Sequence, residues 1–498
     1  MISVADNNFA SFIENFKARI ALIFSDQDNK ARLCLDRGLP PHMLQEILKE
    51  RPLEVFIPEE YGGRGGKIHE ALTLLETASY HSLPLSLLLG INGGLFLQPI
   101  ANYGQEEAKK SVFKQFIAEN KLGGLMITEP DYGSDALKMQ TGFLKTDNQY
   151  RISGTKHWAG LTGLADFWLI TAREKDKTGE LGRDIGFFIH NSEHGGIEVE
   201  EYYNNLGLYM IPYGLNKVDI TVPEGYRLQP ETTGITMMLA LLHRSRLQFP
   251  GMATGFLHRL LDEAIVHCKA RFVGGKSLFS YDQVKERLSY LQSYFTSSSA
   301  MSGYIAANIP AGEDISRFEV LANSVKSVIT DYMQEAAQSY LQLVGAKGYQ
   351  LDHLAGKSVV DSRPFQIFEG SNDILYQQVA ESVLKKMRKM QISNLHEFLK
   401  NYPHTEKALD YFKDVFRFMV DFKMSQRKMV QLGRAIGRLV IMNLTIEIGM
   451  RGFNADMVKN SLKVLQNEIQ TILSSFKLGV APEVVEDYQN DNSWLNTL

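Results

Sequence analysis

The sequence predicts an α+β fold, with helical regions on either side of a central section of strands. Three observations predict it. From Lys217 to Val222, apolar Val218, Ile220 and Val222 alternate with polar Lys217, Asp219 and Thr221, the period of a strand with one buried face. Between Leu257 and Cys268, apolar Leu257, Leu260, Leu261, Ala264, Ile265 and Cys268 fall on one face of a helix. At 498 residues the chain is too long for one ordinary core and must divide into domains. The reading is a helical domain over 1–122, a β domain over 123–233, a helical bundle over 234–388 and a helical extension over 389–498.

The first region is helical, broken by a turn at Pro58-Glu59-Glu60-Tyr61-Gly62-Gly63. Its most apolar window, Leu83 to Ile100, contains Pro84, Asn92, Gly93, Gly94, Gln98 and Pro99. A membrane helix needs ~20 largely apolar residues without such breaks, so the window reads as buried helices. Phe167–Thr171 and Ile185–Ile189 are apolar runs of strand length. Pro223-Glu224-Gly225 ends the alternating strand, and the helical period returns from about 234. The tail from Glu483 to Leu498 is polar and expected to fray.

Composition narrows the function classes. The formal charge is −4, from 53 basic and 57 acidic side chains, which gives no broad basic surface for nucleic acid. The two cysteines, Cys34 and Cys268, lie far apart without a CxxC or His-Cys cluster. That argues against a disulfide scaffold or a zinc site and for a reducing compartment. Met1–Phe16 carries Asp6, Asn7, Asn8 and Glu14 and lacks a basic segment followed by an apolar block, so a cytoplasmic location is expected.

One stretch carries chemistry. Phe365-Gln366-Ile367-Phe368-Glu369-Gly370-Ser371-Asn372-Asp373-Ile374 sets a single carboxylate between an apolar run and a Gly-Ser break. Desolvation there disfavours the charged form and raises the acid above its ordinary range. A raised carboxylate suits the removal of a weakly acidic proton from carbon near neutral pH. Alone, a glutamate beside a glycine is most often a surface residue at a turn.

The rest of the chain supplies context through a resemblance. Pro58–Gly63, then Ile127-Thr128-Glu129-Pro130-Asp131-Tyr132-Gly133-Ser134-Asp135, then Gly154-Thr155-Lys156-His157-Trp158 occur in that order. Arg271, at the end of the helix read above, and Gln342-Leu343-Val344-Gly345-Ala346-Lys347-Gly348-Tyr349 follow. In order and spacing these resemble the motifs of the acyl-CoA dehydrogenase family, over about residues 40–385. The resemblance implies a helical domain, a β-barrel-like middle domain and a four-helix C-terminal domain, with FAD as cofactor. It places Thr128, Gly133, Ser134, Trp158, Ala159, Gly160, Gln342, Gly345, Ser371 and Asp373 at FAD, and Arg271 at the FAD pyrophosphate of a partner subunit. Ser134, Arg246 and Gly370 fall on the substrate side. For Arg271 and Arg246 an exposed ion pair is the competing reading.

By the same resemblance Glu369 is the base that takes the α-proton of an acyl thioester, and the flavin takes the β-hydride. An acyl-CoA, or an acyl carrier protein thioester, is the implied substrate, and a trans-2-enoyl thioester the product. Electron-transfer flavoprotein is the implied acceptor, and a homodimer or tetramer the assembly. Some members carry the base on an earlier helix, where this chain has Ser245.

The chain departs from the family at Trp158-Ala159-Gly160, where a hydroxyl is expected in third place, and at Gly274-Gly275, where Phe-Gly is expected. It departs again at Val360-Asp361 for Arg-Asp, and at Asp282-Gln283, where a cofactor Gln shifts by one place. These departures keep two alternatives open: a flavin oxidase or monooxygenase, and a non-catalytic scaffold with the same fold. The extension resembles that of the very-long-chain branch. Lys423, Arg427, Arg434 and Arg438 recur in it at helical spacing, as a solvated face or a basic face for a membrane surface.

Overall fold

The computed structural model describes residues 4–25, 37–309, 315–412, 414–488 and 493–497. Cys34 and parts of the tail lie outside these. The chain opens with helices α1 (Val4–Ser25), α2 (Pro41–Leu48), α3 (Ile68–His81), α4 (Leu83–Tyr103) and α5 (Glu106–Glu119). The Pro58 turn is a short 3₁₀ segment, Glu59–Tyr61, closed by Gly62 in the left-handed region.

Helix α4 is long and apolar enough to cross a membrane by composition, yet 94% of that window is buried within the fold. Its middle, Ile91–Leu97, is a π-helical stretch. Pro99 has no N–H to bond back one turn, which loosens the α ladder there. Asn92 uses the irregularity. Its amide donates to Leu88 O at 2.8 Å, and its Oδ1 accepts from Gly123 N at 2.7 Å, tying the helix to the first strand.

One curled sheet of seven strands follows, from β1 (Gly123–Met126) and β2 (Gly142–Thr146) to β3 (Gln149–His157) and β4 (Phe167–Lys175). It continues with β5 (Leu181–Asn191), β6 (Ile197–Tyr202) and β7 (Gly214–Pro223). The order is β1-β4-β2-β3-β7-β6, with β5 paired to β4. Strand β7 alternates as the sequence predicts: Val218, Ile220 and Val222 are buried, while Lys217, Asp219 and Thr221 are exposed. The two apolar runs lie in β4 and β5, which pair antiparallel.

The Asp184 carboxylate on β5 accepts from Gly234 N and Ile235 N, fastening the sheet to α6 (Gly234–Arg246). The bundle continues with α7 (Phe249–Ala270), α8 (Asp282–Asn308), α9 (Glu319–Val344), α10 (Leu354–Ser362) and α11 (Asn372–Lys389). Helix α9 is buried on almost every face and forms the bundle centre. The α7 stripe faces the core, with only Ile265 half-buried.

The extension holds α12 (Leu395–Lys400), α13 (Glu406–Leu409), α14 (Gln426–Met450) and α15 (Ala455–Leu478). Helices α14 and α15 pack together and against the bundle. The four cations expected on one face part company. Lys423 precedes α14, Arg427 donates to Gly479 O, and Arg434 pairs with Asp373. Arg438 is buried beside Glu468, so no basic membrane-facing stripe forms. The reason is local: α14 packs against α11 and α15, which cover Arg438 while Arg434 stays exposed.

Candidate active site

Glu369 sits in a turn between a 3₁₀ segment, Arg363–Gln366, and the start of α11. Two consecutive residues there are left-handed, Glu369 at φ 54° and Gly370 at φ 93°. A Cβ at position 370 would lie 2.9 Å from Leu375 Cδ2 and 3.2 Å from Arg246 Nη2, so glycine is required for space as well as for φ. A left-handed glutamate persists only where its surroundings hold it.

Two buried cations do the holding. Arg246, at the end of α6, donates from Nε (3.0 Å) and Nη2 (2.8 Å) to Glu369 O, and from Nη1 to Asn323 Oδ1 at 2.8 Å. Lys326 on α9 donates to Gly370 O at 2.8 Å and to Asn372 Oδ1 at 3.0 Å. With the carbonyls of 369 and 370 drawn toward these cations, the Glu369 side chain is fixed by its own backbone. Arg246 thus lies under the Glu369 turn with all three of its nitrogens engaged, instead of standing on a surface.

The carboxylate itself is only partly satisfied. Ser245 Oγ donates to Glu369 Oε1 at 3.0 Å, while Oε2 is buried with no hydrogen-bond partner. Burial raises its pKa above the ordinary carboxylate value, opposed by the Ser245 bond and by the charges of Arg246 and Lys326. Burial also lowers Lys326 to about 7 and Arg246 to about 10, with the Glu369 charge opposing both shifts. The rings of Phe365, Phe368 and Phe249 pack against one another beside the turn, Phe249 edge-on to Phe365 and the other two pairs tilted.

The strand motifs form a second cluster. Lys156 and Glu129 are both buried, with Nζ 2.9 Å from Oε1. Their pairing joins the Thr128–Asp135 turn to β3. His157 N also donates to Thr128 O at 3.0 Å. Beyond Glu129 the turn is open, with Gly133 and Ser134 exposed. Trp158, left-handed at φ 53° and 50% exposed, leans on Tyr203 and Tyr213 at centroid distances of 4.6 and 6.0 Å. Ala159 is buried, and Gly160 faces Ile91 of the π segment. A Cβ at 160 would lie 2.8 Å from Ile91 Cδ1, so the isoleucine fills the space where a threonine side chain would stand.

Ser371 is the N-cap of α11, and its hydroxyl makes no capping bond. Asp373, in the first turn, pairs with Arg434 of the extension at 3.0 Å. Arg271 closes α7 and is exposed, as are Gln342 and Gly345 at the end of α9. Among the described interactions none joins these three to Glu369. Gly274 and Gly275 are both left-handed and make the two-residue turn of the hairpin Phe272–Val273/Lys276–Ser277, which accounts for the missing Phe.

Hydroxyls on Thr128, Ser134 and Ser371 with no bond among the described residues and a half-exposed indole face suit a flat, hydrogen-bonding aromatic ligand. The fit to a flavin is good.

Three family models match the chain in order: acyl-CoA dehydrogenase N-terminal domain over 27–120, middle domain over 124–218 and C-terminal domain over 232–384. The chain belongs to the acyl-CoA dehydrogenase family. It is similar to an acyl-CoA dehydrogenase of Bacillus subtilis (strain 168), 25% identical over 67% of this chain and 87% of that protein. It is also similar to the mouse mitochondrial very long-chain specific acyl-CoA dehydrogenase, 23% identical over 75% of this chain and 58% of that protein's length. Among solved structures, a Bacillus anthracis acyl-CoA dehydrogenase complexed with FAD shares the fold at a TM-score of 0.76 and 17% identity. That likeness covers 96% of this chain and 89% of that one, so the acyl-CoA dehydrogenase fold here includes the extension.

Sequence reasoning quoted Glu129 and Lys156 inside their motifs without a role, and it missed Lys326. A lysine in the otherwise apolar and small-residue run Val325–Ile329 was the available signal. A charge on a face that must be buried implies a specific partner.

Proposed function

We propose that this acyl-CoA dehydrogenase oxidises an acyl thioester between its α and β carbons, with Glu369 as the base. The carrying observation is Glu369 Oε2, a buried carboxylate oxygen with no partner in a turn held by two cations. The α-proton of a thioester is weakly acidic, and a desolvated, positioned carboxylate is the group that can remove it. Ser245 holds the other oxygen, which leaves Oε2 to receive the proton. FAD is the cofactor and supplies the acceptor for the β-hydride, which no side chain can take. Thr128, Gly133, Ser134, Trp158, Ala159, Gly160, Ser371 and Asp373 would hold it, and Ser134 and Gly370 lie on the substrate side. The product is a trans-2-enoyl thioester.

Arg271, Gln342 and Gly345 would reach the FAD of a second subunit. Phe272, Tyr349 and Leu351 beside them are 65%, 86% and 44% exposed, an apolar rim suited to a homodimer. Electron-transfer flavoprotein is the proposed acceptor, and the cytoplasm the proposed location.

Anaerobic titration of the FAD-loaded protein with acyl-CoAs of graded length tests the reading. Bleaching of the flavin by at least one of them, abolished in Glu369→Gln with FAD retained, is the expected result. Full bleaching in Glu369→Gln overturns the assignment of the base. Rapid oxygen uptake by the reduced enzyme would move the protein to the oxidases.

A further inference from the structure

The extension reaches the catalytic turn through one side chain. Helix α14 crosses α11 so closely that a Cβ at Gly433 would lie 1.8 Å from Tyr376 O. Just beyond that crossing, Arg438 enters the bundle, 7% exposed. Its Nε donates to Glu468 Oε2 on α15 at 2.8 Å, and its Nη1 donates to the Tyr376 hydroxyl at 3.4 Å. Its Nη2 stands 3.7 Å from Asp331 Oδ2.

Asp331 lies on α9 and is 9% exposed. Its Oδ1 accepts from Gln366 Nε2 at 2.8 Å and from Asn372 Nδ2 at 2.7 Å; its Oδ2 accepts from the Tyr376 O–H at 2.7 Å. Gln366 stands three residues before Glu369 and Asn372 three residues after it. One carboxylate therefore grips both ends of the turn that carries the base. The ion pair it makes among the described residues is with Arg438. The other buried cations of this region are already engaged, Lys326 with Gly370 O and Asn372 Oδ1 and Arg246 with Glu369 O and Asn323 Oδ1. A buried carboxylate that loses its counter-charge is left uncompensated, and its surroundings rearrange to solvate it.

We propose that Arg438 is a positioning residue for Glu369: it supplies the counter-charge for Asp331, so the C-terminal extension is part of the apparatus that aims the base. The proposal rests on the reading of Glu369 given above. The competing role is simple docking, in which Arg438 does no more than fasten α14 to α15 through Glu468.

The test uses the full-length FAD-loaded protein and stopped-flow anaerobic reduction by a saturating acyl-CoA that bleaches the wild type. The rate is followed against pH, beside melting temperature and FAD content. Arg438→Gln is expected to slow reduction at least tenfold and to move the midpoint of the pH profile, with FAD content kept. Glu468→Ala removes the acceptor of Arg438 Nε without touching Asp331 and is expected to keep the wild-type rate and profile. In Asp331→Asn/Arg438→Gln both charges are gone while an amide oxygen still accepts from Gln366 and Asn372, so the rate is expected to recover to within threefold of wild type.

Equal rates and profiles in Arg438→Gln and Glu468→Ala overturn the proposal in favour of docking. If Arg438→Gln does not accumulate as folded protein, the double variant decides. Folding with near-native rate supports the proposal, and failure to fold overturns it. Glu369→Gln in the same assay separates the two readings. Wild-type reduction in that variant removes the base itself, whereas a dead Glu369→Gln beside an unaffected Arg438→Gln removes only the role of Arg438.

Discussion

Lys156 Nζ lies 2.9 Å from Glu129 Oε1, and neither side chain is more than 4% exposed. This pair fixes the Thr128–Asp135 turn relative to Trp158, the two parts of the sheet that would meet a flavin. Glu129 is held further by Thr141 N at 2.9 Å. The Lys156 and Glu129 charges favour each other, but burial is the larger influence on the lysine and lowers it to about 8. Removing one partner strands the other. Glu129→Gln or Lys156→Met is expected to destabilise the fold by ~3–5 kcal/mol and to release FAD, read by chemical denaturation and flavin absorbance.

The acid side of the stability curve follows from the same glutamate. Lys156 and the Thr141 and Gln140 bonds hold Glu129 below its ordinary value, against burial, which raises it. Its contribution is therefore present above the unfolded carboxylate range and is lost as pH falls through the lower folded value. Wild type should lose stability below about pH 4.5 more steeply than Glu129→Gln, in urea melts repeated across pH.

Glu369 has the opposite sign. Its raised pKa means that the folded state binds the proton more tightly than the unfolded state. Its contribution is full below the unfolded value and is lost as pH rises through the folded one. Glu369→Gln is thus expected to melt at a higher temperature than wild type at pH 8, with a gap that narrows toward pH 4. Activity of the wild type should rise with pH across the same titration, since the base works only when deprotonated. A Glu369→Gln protein less stable than wild type at pH 8 would contradict the burial argument.

Lys326 holds Gly370 O and Asn372 Oδ1 with no exposed surface of its own. Lys326→Met keeps the volume and removes the donors. It should lower the flavin reduction rate by tenfold or more while FAD stays bound, because the left-handed turn loses one of its two clamps. Unchanged reduction kinetics would show that Arg246 alone suffices.

Gly160→Thr would restore the hydroxyl expected at that position, but Ile91 Cδ1 stands 2.8 Å from the new Cβ. Overpacking of this kind costs ~1–3 kcal/mol. The loss should shrink when Ile91→Ala is added, by thermal melting of the single and double variants.

Much of the fold was legible because its cause is periodic. The alternation in β7 and the stripe of α7 report burial directly, and the structure buries those residues. The apolar window over Leu83–Ile100 was readable as buried because its Pro, Gly and Asn mark a packed helix. The π turn was not readable, since it depends on where Gly123 N lies. At the site, Glu369 stood out because its neighbours are apolar in sequence. Lys326, Asp331 and Arg438 could not be tied to it, because they reach the turn from helices up to 69 residues away in sequence. The stripe of Lys423, Arg427, Arg434 and Arg438 misled for a related reason: helical spacing says which residues share a face, not what that face meets.

The π segment of α4 holds one residue more than a regular helix of the same rise. That surplus turns Asn92 toward the first strand and seats Ile91 against Gly160. A chain one residue shorter between Ile91 and Leu97 would close into an unbroken α-helix whose flanks keep their packing. It would leave the leading amide of the sheet without its acceptor and open a gap beside Gly160. The irregular turn is therefore a length gauge that sets how much room the sheet face offers to whatever lies against it.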